Sequence, residues 1–235
     1  MTLSIIIPVF NEEKTIKQLL AKVDGVNLSG IKKEIIVIDD CSTDETGKIL
    51  SNLNKIKFKY LKHKKNLGKG AAIKTGIECA TGDFIIIQDA DLEYDPVHYK
   101  ELLEPFSKNS VEVVYGSRLI NYPLKLWGRN KTVLPTHLIA NKFLTFLTNL
   151  LYGSNLTDME TGYKLFKKEI LKGIKLNSNK FDFEAEVTAK ILRRRIPIIE
   201  VPISTKPRTY KEGKKISWKD GITAIWTLIK YRFTA

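Results

Sequence analysis

A chain of 235 residues, 43% hydrophobic and 28% charged, can bury a sizeable core and falls within the range of a single globular domain. Its two cysteines, Cys41 and Cys79, stand in separate segments outside any Cys-x-x-Cys or Cys/His cluster, which excludes a disulfide framework and a zinc site. The net charge of +13 is unevenly held: residues 1–120 carry 17 Lys and Arg against 17 Asp and Glu, and residues 121–235 carry 22 against 9. A field of that sign attracts nucleic acid, an anionic leaflet or a phosphorylated substrate, although a lysine-rich solvated surface accounts for the same numbers.

The amino terminus runs directly into Ile5, Ile6 and Ile7 with no basic stretch before a long apolar run, so neither a secretory nor a transit signal is read and a cytoplasmic protein is expected. Short apolar strands are predicted at Leu3–Val9, Glu34–Ile38, Phe58–Leu61, Phe84–Gln88 and Val111–Tyr115. The run Ile85, Ile86, Ile87 suggests a strand covered on both faces. Helices alternate with these strands, the pattern of an α/β domain with a mostly parallel central sheet flanked by helices. Ile16, Leu19, Leu20 and Val23 give the first helix one buried face, and Ser42 to Glu45 reads as a capping box opening the second.

After residue 120 the alternation is expected to stop. A basic, Trp-containing stretch from Tyr122 to Lys131 leads to a helix over Thr132–Tyr152, rich in Leu and Phe but interrupted by His137, Asn141, Lys142 and Asn149. Those interruptions argue against a membrane span and leave two readings, packing on the sheet or lying in a membrane interface. Ile196–Ile203, with Pro197 and Pro202, suits a strand at a sheet edge, and a last helix is predicted around Trp218–Phe233.

Polar and acidic clusters fall where predicted strands end, the position at which open α/β sheets bind ligands. The first strand ends in Pro8-Val-Phe-Asn-Glu12, the second in Asp39 and Asp40, the fourth in Asp89-Ala90-Asp91-Leu-Glu93. Residues two apart on an extended segment share a side, so Asp89, Asp91 and Glu93 are expected to converge and to need a cation between them. Oxygen ligands without His or Cys select Mg²⁺ or Mn²⁺, which commonly bridge to substrate phosphates. No G-x-G-x-x-G follows the first strand, and Asn66-Leu-Gly68-Lys69-Gly70 lacks the spacing and the Ser/Thr of a P-loop. The run from Gly68 to Ala72 either brings backbone close to a ligand or simply starts a helix.

In order along the chain, Pro8-Val-Phe-Asn-Glu-Glu13, Ile38-Asp-Asp-Cys-Ser-Thr43, Asn66-Leu-Gly-Lys-Gly70, Asp89-Ala-Asp91 and Gly116-Ser-Arg118 resemble the family 2 glycosyltransferases of GT-A fold, closest to the dolichyl-phosphate mannose synthase and polyprenyl-phosphate glycosyltransferase group. Asp158-Met-Glu-Thr-Gly-Tyr163 and Phe181-Asp-Phe-Glu184 extend the resemblance more loosely. It implies a GT-A, Rossmann-like sheet and a metal-dependent hexosyltransferase using a UDP- or GDP-linked sugar. By the same resemblance Pro8, Phe10, Glu12 and Asp39, with Asp40, Gly68, Lys69 and Ala90 beside them, hold the nucleotide sugar. Asp89 and Asp91 anchor metal and diphosphate by that resemblance, and the alternation of the extended segment adds Glu93 as a third expected metal ligand. Arg118, Arg129 and Arg208 match basic positions near the phosphates of donor and acceptor. Against the mannose synthases the chain is expected to differ at Glu93, where they carry glutamine, and in being without their carboxyl-terminal transmembrane extensions.

These readings divide one domain into a nucleotide-sugar-binding half, residues 1–120, and a basic half, residues 121–235, with an amphipathic-helix acceptor region facing the membrane. A polyprenyl phosphate acceptor is already ionised near neutral pH and needs no general base. A glycan hydroxyl acceptor does, and Asp158 is then the candidate. The charge asymmetry favours the lipid phosphate and a peripheral position on the cytoplasmic face of a membrane. Nucleic-acid binding is disfavoured, because the basic residues are dispersed and the carboxylates repel a phosphate backbone.

Overall fold

The computed structural model describes residues 1–108, 110–120, 135–208 and 218–234; the expectations placed on Arg129 and on the basic stretch around it lie outside these residues. In chain order the elements are β1 (Thr2–Val9), α1 (Ile16–Gly25), β2 (Lys32–Asp39), α2 (Thr46–Asn52), β3 (Lys59–Lys62), α3 (Lys69–Cys79), β4 (Phe84–Ile87), α4 (Tyr99–Leu103) and β5 (Val113–Ser117). They continue with α5 (Pro135–Tyr152), β6 (Lys164–Lys167), α6 (Lys168–Lys172), α7 (Phe183–Arg193), β7 (Ile198–Pro202) and α8 (Trp218–Phe233).

The strands form one seven-stranded sheet in the order β3-β2-β1-β4-β6-β5-β7. All neighbours are parallel except β6, which runs antiparallel to both β4 and β5. Period-two alternation explains why central strands read as unbroken apolar runs. Leu3, Ile5, Ile7 and Val9 of β1 enter the core on one face while Ile6 enters the other, and Ile86 is divided in the same way from Ile85 and Ile87. Each such side chain, fully removed from water, contributes roughly 1.5–3 kcal/mol. Ile16, Leu19, Leu20 and Val23 of α1 are all buried, as their spacing predicts. A third apolar cluster joins the helices of the second half, with Leu144, Ala185, Ala189, Ala224 and Leu228 at its centre.

Two expectations need correction. The alternation does not stop at residue 120, because β6, α6 and α7 lie within the second half. The four residues of β6, Lys164-Leu-Phe-Lys167, are too few and too basic to read as a strand, and exist as one because two neighbours supply their hydrogen bonds. Nor does the Ser42–Glu45 box cap α2, which has no side-chain cap. The Ser42 hydroxyl instead accepts from the Asn11 N–H, and Asp44 accepts from the N–H groups of Glu13 and Thr46. These side chains stitch the loops after β1 and β2 together. The edge position expected for the Pro-flanked strand is observed in β7, and α8 has the predicted bounds.

Candidate active site

Between β1 and β4 the direction of strand succession reverses, and beyond the carboxyl ends of β1, β2 and β4 lies a cleft of about 1120 Å³. The backbone there is unusual. Asn11, Cys41 and Leu92, each just after one of these strands, have φ of 54°, 65° and 63°, a region that costs a non-glycine residue of the order of 1 kcal/mol. Such turns aim the segments after the strands at a common volume.

Pro8, Phe10, Glu12, Asp40, Gly68, Lys69, Asp89, Ala90, Asp91, Glu93, Arg118 and Arg208 all line the cleft, so the structure gathers nearly every residue that the sequence nominated. Asp89 to Glu93 are not extended, however. Asp91 accepts from the Glu93 N–H at 3.1 Å in a local turn, so strand alternation does not bring the three carboxylates together. Among the described residues no group of three His, Cys, Asp or Glu is close enough to enclose a metal ion. Basic side chains pair with these carboxylates. Arg208 donates to Asp91 at 2.8 Å and to both oxygens of Glu12 at 3.2 Å, and its backbone N–H donates to Glu93 at 2.9 Å. Lys69 sits 2.8 Å from Asp89. Burial, and then the charges of Asp89 and Glu93, push the Asp91 carboxyl up to about 6 despite Arg208. The strand end therefore carries more negative charge than its arginine and lysine balance. That surplus, offered by hard oxygen donors alone, fits Mg²⁺ or Mn²⁺ on Asp89 and Asp91.

Asp39 is the exception among the nominated residues. It is fully buried and outside the cleft lining, accepting from the Ser42 N–H at 2.7 Å and the Tyr60 hydroxyl at 3.1 Å. Burial and this carboxylate raise the tyrosine to about 12. The nucleotide-holding role that the resemblance gave Asp39 is thus not matched by its position. Asp40 reaches the cleft and accepts from the N–H groups of Leu67 and Gly68 at 2.9 and 2.7 Å, shaping the loop before α3. Gly68 has φ +98°, and a Cβ there would lie 2.3 Å from the Asn179 carbonyl oxygen. Its close backbone approach is to the 178–180 loop, and the Ala71 N–H donates to Asn179 as well.

Asp158 is also corrected. It is fully buried, with both oxygens held by the Arg118 guanidinium at 2.6 and 2.7 Å and the Arg118 N–H at 3.0 Å. A carboxylate so committed, buried and outside the cleft lining, positions an arginine and does not reach a substrate proton. Arg118 thereby stands rigid at the cleft, its charge reinforced above its ordinary range by Asp158 against the opposing effect of burial.

Sequence reasoning missed three contributors. Glu184 is tied to Asp89 through the nominated Lys69, which lies 2.8 Å from each. Glu160 lines the cleft, and burial followed by the neighbouring Glu184 charge raises it to about 7. Gly162 packs against Asp89, where a Cβ would lie 2.5 Å from Oδ2. All three lie in the two segments that extended the resemblance loosely, so the signal was present without a role attached.

The outer lip is chemically different. Phe143 of α5 and Trp218 and Ile222 of α8 line the cleft yet are more than half exposed. Ile139, Phe146 and Leu150 of α5, and Trp226, Ile229 and Phe233 of α8, continue an exposed apolar surface at helical spacing. Among the described residues no helix is long and apolar enough to cross a membrane.

Residues 4–175 match the family described as glycosyl transferase family 2. The chain is 30% identical to the UDP-N-acetylglucosamine–dolichyl-phosphate N-acetylglucosaminyltransferase of Methanococcus voltae, over 96% of this chain and 94% of that one. It is 28% identical to the dolichol-phosphate mannosyltransferase of Pyrococcus furiosus, over 91% of this chain but only 59% of that protein's length. It is also 28% identical to the dolichyl-phosphate beta-glucosyltransferase of Dictyostelium discoideum, over 98% of this chain and 74% of the relative. Among solved structures, the glucosyl-3-phosphoglycerate synthase of Mycobacterium tuberculosis in complex with UDP superposes with a TM-score of 0.74 at 20% identity, over 98% of this chain and 80% of that one. The same enzyme in complex with Mn²⁺, UDP and glucosyl-3-phosphoglycerate gives 0.72. At such identity the likeness speaks for the GT-A-like fold alone. With the family matched across most of its length, this chain belongs to glycosyl transferase family 2 and is a glycosyltransferase.

Proposed function

We propose that the protein transfers a hexose, with inversion, from a UDP- or GDP-linked donor to a polyprenyl phosphate of dolichyl type at a membrane surface. The observation that carries this reading is the polarity of the cleft: carboxylates, Lys69 and Arg208 at the strand ends, and Phe143, Trp218 and Ile222 at the lip. A nucleoside diphosphate suits the first end and a prenyl chain the second. Three relatives are named for dolichyl or dolichol phosphate, which supports the same acceptor.

Asp89 and Asp91 are the residues that would hold Mg²⁺ or Mn²⁺, with Glu93 at the edge of the set. When bound, the ion neutralises charge growing on the departing diphosphate. Arg208 and Lys69, already seated among these carboxylates, orient them and add positive charge on the same side. Arg118, fixed by Asp158, faces the acceptor phosphate, and Arg129 is expected to join it. The acceptor oxygen attacks the anomeric carbon opposite the leaving group, and because it is ionised near pH 7 no side chain has to take a proton. Asp158, committed to Arg118, suits that chemistry and not activation of a glycan hydroxyl. Residues 1–120 supply most donor contacts, with Gly162 and Arg208 reaching in from the basic half.

We place the exposed apolar faces of α5 and α8 in the headgroup region, on the cytoplasmic side, as a peripheral contact. Exposed Lys142, Lys219, Lys230 and Arg232 on the same two helices favour an anionic leaflet. Purified protein is incubated with labelled UDP- and GDP-sugars, Mn²⁺ and vesicles containing polyprenyl phosphate, then extracted into organic solvent. Label is expected in the organic phase. Label that stays wholly aqueous with every donor overturns the lipid acceptor.

A further inference from the structure

One step beyond Asp89, through Lys69, the cleft contains two carboxylates that the proposed chemistry does not use. Glu184 is 6% exposed; one oxygen binds Lys69 at 2.8 Å, and the other is buried with no hydrogen-bond partner among the described residues. Glu160, from the loop before β6, also has one buried oxygen with no hydrogen-bond partner among the described residues. Both residues line the cleft, and each lies close enough to raise or lower the charge of the same neighbours. Leaving such acceptors unmet in a finished complex is unfavourable, so a ligand that fills this part of the cleft must bring hydrogen-bond donors.

The charge count says what kind of donors. Glu160, Glu184 and Asp158 face Lys164, Arg118 and a Lys69 that is shared with Asp89, so this compartment holds no surplus of positive charge. The Lys164 ammonium is not available to an incoming group, being buried and held by the carbonyls of Met159 and Thr161. A carboxylate on the sugar placed between Glu160 and Glu184 would meet two like charges, while Lys69 is committed to Asp89 and Glu184 and Lys164 to backbone carbonyls. Glu184, paired with Lys69, and Glu160, whose raised pKa leaves it partly protonated near neutral pH, both keep carboxyl oxygens able to accept from hydroxyls.

We infer that Glu160 and Glu184 form the floor of the sugar compartment, accepting hydrogen bonds from hydroxyls of the transferred sugar and excluding sugars that carry a carboxylate. This rests on the donor reading above, in which the diphosphate lies at Asp89 and Asp91 and its sugar extends into the adjoining volume. The donor class is thereby narrowed to neutral hexoses, with uronates rejected.

The test compares affinities by titration calorimetry with Mn²⁺ for UDP, UDP-glucose and UDP-glucuronate, and for GDP, GDP-mannose and GDP-mannuronate, on the wild type, Glu160→Gln and Glu184→Gln. The quantity read is the Kd of each sugar nucleotide divided by that of its own diphosphate, which cancels any effect on the diphosphate grip. In the wild type the hexose is expected to improve on the bare diphosphate and the uronate to bind at least about tenfold more weakly than the hexose. Each substitution should weaken the hexose ratio about fivefold, the difference between a charged and a neutral acceptor, while strengthening the uronate ratio. Opposite movements of the two ratios cannot come from general damage to the fold. Equal wild-type affinity for hexose and uronate, or ratios unchanged in both variants, overturns the assignment. Failure of both bare diphosphates to bind sinks the donor reading itself and this inference with it.

Discussion

The strand-end region and the α5/α8 lip hold their side chains in opposite ways. At the strand ends every nominated carboxylate is engaged by a basic or backbone donor: Asp89 by Lys69, Asp91 and Glu12 by Arg208, Asp158 by Arg118, Asp40 by Leu67 and Gly68. At the lip, Phe146, Leu150, Trp226 and Phe233 are each more than 60% exposed. The first region is under electrostatic tension, since like charges are kept together by counter-charges and by backbone turns that side chains rarely adopt. The second is unstrained but uncovered, which is unusual for so many large apolar groups on two adjacent helices. An ionic site of this kind depends steeply on each member, whereas an apolar surface contributes by area and degrades gradually.

The steepest test of that contrast is Asp91→Ala. Removing a proposed metal and diphosphate ligand is expected to lower sugar transfer by about 10³-fold, as chelation with EDTA should, with Mn²⁺ restoring the wild type only. Loss of less than about tenfold would mean that the ionic end is not where the reaction is driven. The apolar end is broken by the paired change Phe146→Asp with Trp226→Asp. Sedimentation with anionic vesicles should show binding reduced about 100-fold, roughly 1.5 kcal/mol for each side chain kept out of the interface. Because both residues are already exposed in the fold, the thermal midpoint should not move. Unchanged vesicle binding would end the membrane reading of this face.

A smaller effect sharpens the distinction between committed and uncommitted carboxylates. Glu186 lies on α7, two residues from Glu184, but is fully buried outside the cleft. It accepts from the backbone N–H groups of Asn177 and Ser178 at 2.8 and 2.6 Å and from Lys190. Burial alone would raise its pKa, but Lys190 and these amides outweigh it and leave the group below its ordinary 4.5. A folded value below the unfolded one means that the stabilisation is complete above about pH 4.5 and fades as pH falls through the lower, folded value. Glu186→Gln should therefore cost about 1 kcal/mol at pH 7 in denaturant unfolding and progressively less in that acid range, with transfer at neutral pH little altered. A penalty that stays constant down to pH 3 would show that the loss is one of packing and not of charge.

Much of the donor end was legible in the sequence because strand ends announce themselves. Apolar runs fix where β1, β2 and β4 stop, and residues just past a strand in an open sheet face one crevice, so Glu12, Asp40, Asp89 and Asp91 could be nominated together. The nominations failed where a residue's partners come from afar in the chain. Asp39 and Asp40 are adjacent, yet one turns into the protein toward Tyr60 and the other into the cleft. Asp158 reads as a free acid until Arg118, 40 residues earlier, is found on both of its oxygens.

What the sequence determined by itself is local: helix faces at 3.6-residue spacing, strands at alternating spacing, the motif order and the surplus of basic charge after residue 120. What only the tertiary structure decided is which charges meet. Strand β6 exists because β4 and β5 flank it, and it brings the Glu160 and Gly162 loop beside Asp89; α7 brings Glu184 to Lys69 across 115 residues. Periodicity encodes which way a side chain faces along its own element. Electrostatic pairing falls off with distance in space, and distance in space between remote segments is set only when the sheet closes around them.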